Sequence, residues 1–310
     1  MIDKIVITAK LHNFSEVERF AARNRLVRCT EGDRVHWETG DVANLTGVQM
    51  STDGCTVTVK CSVQKQYSRS TAGRLDNSGP FTMSQARATL RRLMTRWGLP
   101  VAGAVVTGFE VGANLPIGTD PAATIALMIR VGGTENRVRE LFEDATFDPG
   151  RQATSRKSKL VRKVFKVYDK THETADRSRR PCAAGTLRIE TVYRRQTVPL
   201  DAFLDEAFTD RLVDAFRRDW EATVFRRRVV GRPGVKASLV AKARDLLELG
   251  PEACVAKARA EMEQGLVSAK QFRTVREFVR DWPQLESRFI LIPDDREMTF
   301  RMCLADVEKC

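Results

Sequence analysis

The 310-residue chain has only three histidines, His12, His36 and His172, each standing alone. With no His-x-His pair and no Cys/His spacing of the zinc-finger kind, the sequence offers no linear zinc motif. The seven cysteines are an odd number without a C-x-x-C pair, so they read as reduced thiols of a cytoplasm rather than a disulfide framework. No apolar run approaches the roughly 18 residues of a membrane span. The opening MIDKIVITAKL mixes acid and base into a short apolar stretch, unlike a secretory signal. There is no Gly-x-x-x-x-Gly-Lys-Ser/Thr loop, which argues against nucleotide-driven chemistry. Aromatic residues make up 7% of the chain, and no strand presents an aromatic face, so base stacking on a sheet is disfavoured.

What the chain does have is positive charge, unevenly placed. The net charge is +12 and the pI near 9.6. Residues 151–195 hold 14 Lys/Arg against 4 Asp/Glu, a net of +10, so one segment carries nearly all of the excess. That concentration is expected of a polyanion-binding surface. A hydrophobic content of 42% is enough for a core, and the length allows one large domain or two smaller ones.

The periodicity predicts an α+β fold, a mainly antiparallel sheet with helices packed on it and a helical C-terminal region. Lys4–Ala9 and Cys55–Val63 read as strands, the second with Cys55, Val57, Val59, Cys61 and Val63 on one face. Tyr67–Pro80 is polar and reads as a loop. Thr82 and Gln85 form a capping box for a helix ending at Trp97, stopped by Gly98 and Pro100, with Arg87, Arg91, Arg92 and Arg96 as a basic stripe. Gly103–Gly112 reads as a strand in which Glu110 is flanked on its own face by Gly108 and Gly112; glycine there marks a close approach by backbone or ligand. Thr119 or Asp120 caps a helix with Pro121 in its first turn, running to about Arg130.

Two strand-like runs follow, Leu160–Lys170 and Thr186–Arg195, joined by a charged loop. Alternation puts Arg162, Lys166, Tyr168 and Lys170 on one face of the first run and Arg188 with Glu190 on one face of the second. Lys163 is a misfit among Val161, Phe165 and Val167. If the runs pair, a phenol, several cations and a carboxylate meet on one side of a sheet. Those groups are the equipment for attacking a phosphodiester, although a packing tyrosine on a solvated charged face is the commoner reading of such residues. Leu200–Arg228 reads helical, Gly231, Pro233 and Gly234 mark a linker, and residues 236–282 give three helices. These fit a helix-turn-helix reading head or a helical cap. The expected units are residues 1–232 and 233–310, with Phe289–Ile292 as a terminal strand.

Three segments resemble the replication initiators of filamentous phages, the gene II type endonucleases, and the related rolling-circle plasmid initiators. VVTGFEVGANLPI is similar to the family's first acidic strand, SRKSKLVRKVFKVYDKTHE to its tyrosine strand, and LRIETVYR to its Leu/Val-Arg-hydrophobic-Glu strand. The resemblance implies a nicking enzyme that cuts one strand of origin DNA with a tyrosine, stays joined to the 5′ phosphate and later rejoins the displaced strand. It implies Tyr168 as nucleophile, Lys170 as its nearby cation, and Glu190 and Glu110 as ligands of Mg²⁺ or Mn²⁺. Arg156, Lys159, Arg162, Lys166 and Arg188 are the expected DNA-binding cations. The implied partners are double- and single-stranded origin DNA, a host helicase and the replication machinery, in the cytoplasm of a bacterial host cell, with a homodimer open to it. Two departures stand out: the class often uses a His-x-His metal pair, and the slot two before the acid, usually basic, is Gly108. A non-catalytic DNA-binding control protein accounts for the charge equally but leaves Tyr168 and the acids idle.

Overall fold

The computed structural model describes residues 1–40, 46–132, 139–140, 154–176 and 182–307. Its centre is a ten-stranded sheet. The strands are β1 (Ile2–Lys10), β2 (Val27–Glu31), β3 (Arg34–Glu38), β4 (Val48–Asp53), β5 (Thr56–Ser62), β6 (Val105–Pro116), β9 (Ser155–Lys159), β10 (Lys163–Asp169), β11 (Thr186–Tyr193) and β12 (Val198–Pro199). Their order is β2-β3-β4-β5-β1-β6-β11-β10-β9, with β12 added to β6, and every described pairing is antiparallel. The short strands β7 (Met128–Val131), β8 (Arg139–Glu140) and β13 (Val224–Phe225) form a second sheet. The fold is α+β, as the periodicity predicts.

Alternation explains the core. Phe109, Val111, Ala113 and Leu115 of β6 share one face with Leu187, Ile189 and Tyr193 of β11, and with Phe165 and Val167 of β10; all are buried. Helices α6 (Leu200–Phe203) and α7 (Glu206–Glu221) cover that face. Phe203 packs edge-on to Phe109, Trp220 packs edge-on to Phe165, and the Trp220 indole N–H donates to Thr191 Oγ1 at 3.1 Å. The misfit Lys163 also points to this side, where it donates to the buried Asp219 of α7 at 2.8 Å. Its charge is paired rather than solvated, which lets a lysine stand in an apolar row.

Other helices follow their sequence signals. In α3 (Met83–Trp97) the Thr82–Gln85 capping box is present, and Gly98 closes the helix at φ 74°. Asp120 caps α4 (Pro121–Leu127), which stops short of Arg130 because Met128–Val131 pairs as β7. The expected loop over Tyr67–Pro80 is instead helical in its first part. Ser62 accepts from Lys65 N–H and starts α2 (Val63–Ala72), so Val63 begins a helix rather than ending a strand. Its buried Gln64 and Gln66 donate to the carbonyls of Gly79 and Thr46, a polar packing that apolar periodicity does not register. Helix α1 (Phe14–Arg23) and strands β2, β3 and β4 lie in the charged segment for which no element is predicted. The expected helix to Arg228 ends at Glu221, where Thr223 folds back onto Trp220 O. Helix α5 (Lys170–Asp176) follows β10 directly.

After Gly234, α8 (Ala237–Leu249), α9 (Pro251–Glu263) and α10 (Ala269–Arg280) are the three predicted helices. With α11 (Trp282–Leu285) they enclose a small separate apolar cluster around Ala243, Leu246, Cys254, Phe278 and Phe289. A ribbon of β14 (Arg228–Gly231) and β15 (Phe289–Ile292) backs it. The last helix, α12 (Asp295–Ala305), returns to the main core through Phe300 and Leu304. No described helix is long and apolar enough to cross a membrane. Truncating Trp220, the largest fully buried side chain, should lower stability by about 3–5 kcal/mol. Chemical denaturation of Trp220→Ala checks this, with a loss under about 1 kcal/mol counting against the packing described.

Candidate functional site

On the face of the sheet away from α7, register brings distant residues into rows. Asn114 of β6, Arg188 of β11 and Tyr168 of β10 form one row; Gly112, Glu190 and Lys166 form the next. Lys157 of β9 extends the second row beside Lys166. Strand β1 contributes by breaking the alternation. Between its pairings Ile2–Val111 and Ile5–Phe109, three steps on β1 match two on β6. This bulge keeps both isoleucines on the core side and turns Asp3 and Lys4 to the opposite face.

The result is a compact charged cluster. Tyr168 Oη donates to Glu190 Oε1 at 2.9 Å. The buried Arg188 guanidinium donates to Glu190 Oε1 at 3.1 Å, Asp3 Oδ2 at 3.1 Å and Asn114 Oδ1 at 3.0 Å. Asp3 also accepts from Asn77 Nδ2 at 2.9 Å and from the Ser62 hydroxyl. Lys166 Nζ bridges Glu110 at 3.0 Å and Glu190 at 3.4 Å, and Lys4 Nζ reaches the other oxygen of Glu110 at 3.0 Å. Three carboxylates thus face three cations.

These contacts set the protonation states. Burial opposes the charge on Glu190, but Arg188 and Lys166 outweigh it and hold the carboxyl below its ordinary range. Burial likewise opposes Asp3, and Arg188, Ser62 and Asn77 overcome it. Burial and then Glu190 push the Tyr168 phenol well above its ordinary value of 10. The dominant charged neighbour is a carboxylate rather than the cation that the resemblance implies, and the proton sits on Oη.

Asp3, Glu110 and Glu190 each offer an oxygen within 4.8 Å of the others. All are hard donors, suited to Mg²⁺ or Mn²⁺. Charge balance also fits. One divalent ion replaces the charge of two ammonium groups, and the two in question sit on flexible stems, with Lys4 and Lys166 side chains 60% and 23% exposed. Arg188 would remain as the buried counter-charge.

No protein-family model matches the chain, and no curated protein matches it. Among solved structures the chain is similar to one described as a rolling circle replication initiator protein from Geobacillus stearothermophilus. That match covers 76% of this chain and 89% of that chain, at 10% identity and a TM-score of 0.40.

The predicted site residues divide into three groups. Tyr168, Glu190, Glu110 and Lys166 meet as alternation requires. Lys170 does not share the strand face with Tyr168. It opens α5, is fully buried, and donates to Asn77 at 3.0 Å and Glu173 at 2.7 Å, with Nζ 5.9 Å from the centre of the Tyr168 ring. Arg188, expected on DNA, is buried inside the cluster with its guanidinium turned to protein acceptors. Arg156 lies on the opposite face of β9, in register with Val167, and donates to the carbonyl of Met128. Lys159 is exposed on the site side of β9, and Arg162 is exposed in the β9–β10 turn. Arg177, Arg179 and Arg180 of the charged loop lie outside the described residues, as does residue 151.

The glycine signal around Glu110 has a definite cause at Gly112. A β-carbon there would stand 2.8 Å from Arg188 Nη2 and 3.1 Å from Cζ and Nε, so the cleared space belongs to the guanidinium. Removing that cation should leave Asp3 and Glu190 buried without a partner, and we expect Arg188→Met to cost about 3–5 kcal/mol. The depressed carboxyls stabilise the fold above their unfolded values near 4, a contribution lost as pH falls through the folded values. The destabilisation of Arg188→Met should therefore be greatest near neutral pH and shrink as pH falls through the carboxyl range, and adding Asp3→Asn should restore part of the stability at neutral pH. A destabilisation that does not change with pH would mean that Arg188 does not hold the two acids.

Proposed function

We propose that the protein is a metal-dependent DNA strand-nicking and -joining endonuclease of rolling-circle replication, with Tyr168 as nucleophile. The observation that carries this reading is the Tyr168 hydroxyl, 2.9 Å from a carboxylate of a three-acid cluster and on the face where Lys157, Lys159 and Lys166 stand. The origin setting comes from the resemblance of the three strand motifs. Residues 1–232 would form the nicking unit and 233–310 a C-terminal region, with α12 packed back on the former.

In the reaction, Tyr168 Oη forms a bond to phosphorus while the bond from phosphorus to the 3′ oxygen breaks. The phenol gives up its proton and the departing 3′ oxygen gains one. Glu190 Oε1 orients the hydroxyl and is the acceptor within reach. Arg188 fixes Glu190 and Asp3 so that the phenol meets a rigid acid. Lys157, Lys159 and Arg162 supply sequence-independent attraction for the DNA backbone. Mg²⁺ or Mn²⁺ held by Asp3, Glu110 and Glu190 would supply Lewis-acid polarisation of the phosphate, worth several kcal/mol in such sites. The phosphotyrosyl bond conserves the phosphodiester, so rejoining needs no nucleotide.

Tyr168→Phe keeps the ring and its packing and removes only the attacking oxygen. It should bind single-stranded oligonucleotide and supercoiled plasmid normally yet form no denaturant-resistant adduct. An adduct of undiminished yield from that variant would end the assignment. Because the phenol titrates well above 10 in the folded chain, adduct formation by the wild type should accelerate steadily with pH from about 6 to 9 without levelling off. A flat profile would show that loss of the Oη proton does not limit the step. Asp3→Asn, which removes an acid that no sequence motif singles out, should depress cleavage as strongly as Glu190→Gln does while leaving DNA binding near normal. Full cleavage by Asp3→Asn would remove it from the site.

A further inference from the structure

The outer hairpin of the sheet carries a second group of metal-ligating side chains, chemically unlike the acidic cluster. Cys29 of β2 and His36 of β3 stand directly opposite one another. Glu38 lies two residues beyond His36 on the same face, opposite Val27, so it reaches diagonally toward Cys29. One donor atom from each residue lies within 4.8 Å of the other two, and Cys29 Sγ is 3.7 Å from Glu38 Oε1. Bond lengths of about 2.3 Å to sulfur and 2.0–2.2 Å to oxygen put those two atoms roughly 3.5 Å apart around a tetrahedral zinc ion. The side chains therefore stand near ligating distance without rearrangement of the backbone.

The chemistry of the three donors selects the ion. Thiolate and imidazole favour borderline-soft Zn²⁺ over Mg²⁺, whereas the Asp3, Glu110 and Glu190 oxygens favour the harder ion. The acidic cluster is matched by Lys4, Lys166 and Arg188, whereas the Glu38 carboxylate accepts from the Cys29 thiol. Asp53 of β4 stands opposite His36, held by Arg34, where a carboxylate can orient an imidazole ligand. We propose that Cys29, His36 and Glu38 form a Zn²⁺ site with one open coordination position, pinning the β2–β3 hairpin at the outer end of the sheet. Binding releases the Cys29 proton to solvent, so affinity should rise with pH.

Cobalt reports this directly, because a thiolate ligand gives a near-ultraviolet charge-transfer band that carboxylates do not. Equimolar Co²⁺ added to the reduced, metal-free full chain should produce that band together with the visible bands of a tetrahedral ion, and Zn²⁺ should bleach both. Cys29→Ser should abolish the charge-transfer band, and His36→Ala should abolish the tetrahedral spectrum. Asp3→Asn should leave both in place, which separates this site from the acidic cluster and from the nicking reading. Cys29 and His36 are outside the core, so both variants should keep the wild-type circular dichroism and melt normally without metal. No thiolate band in the wild type, or a band that survives Cys29→Ser, would overturn the proposal.

Discussion

The Arg188 guanidinium is the interaction on which the site depends. It is buried, and it meets Asp3 from β1, Asn114 from β6 and Glu190 from its own strand. A buried cation with one acid would gain little over a packed apolar residue, since desolvation offsets the attraction. Here one planar group satisfies three acceptors and fixes two acids that belong to different strands. Gly112 is required because the guanidinium lies across its Cα. Tyr168 occupies the row beside Arg188 and takes its orientation from Glu190, so the phenol is positioned through the same cation.

The sheet has two different faces for two different tasks. One face is closed by α6 and α7, with Phe203 against Phe109 and Trp220 against Phe165. That packing makes the four strands β1, β6, β11 and β10 a rigid base. The other face carries the polar cluster, whose members come from positions as far apart as Asp3 and Glu190. Strands hold such groups more closely than loops do.

The sequence makes the central strands legible because β10, β11 and β6 alternate strictly: Lys166, Tyr168, Glu190 and Glu110 fall where period two puts them. Asp3 escapes that reading. Strict alternation groups it with Ile5 and Ile7 on the core side, and only the β1 bulge reverses its direction. Lys170 fails for the opposite reason, since alternation continues it along a strand that has already turned into α5. Arg188 and Arg156 carry the composition of DNA-binding residues, but charge counts do not tell a buried counter-ion or a carbonyl donor from a solvated cation. The α2 helix is hidden by its polar buried face, and the Cys29–His36 pairing by being cross-strand rather than local. Residues joined by register across a sheet leave no spacing in the chain.

In the proposed reaction the attacking oxygen is Tyr168 Oη. Incubating wild-type protein and Mg²⁺ with a single-stranded oligonucleotide that it cleaves, digesting with trypsin and sequencing the nucleotide-bearing peptide by mass spectrometry identifies that oxygen. The modification is expected on Tyr168, within the peptide Val167–Lys170, at the 5′ phosphate of the cut strand. A modification on Tyr67 or Tyr193, or cleavage that proceeds with no tyrosine adduct, would contradict it.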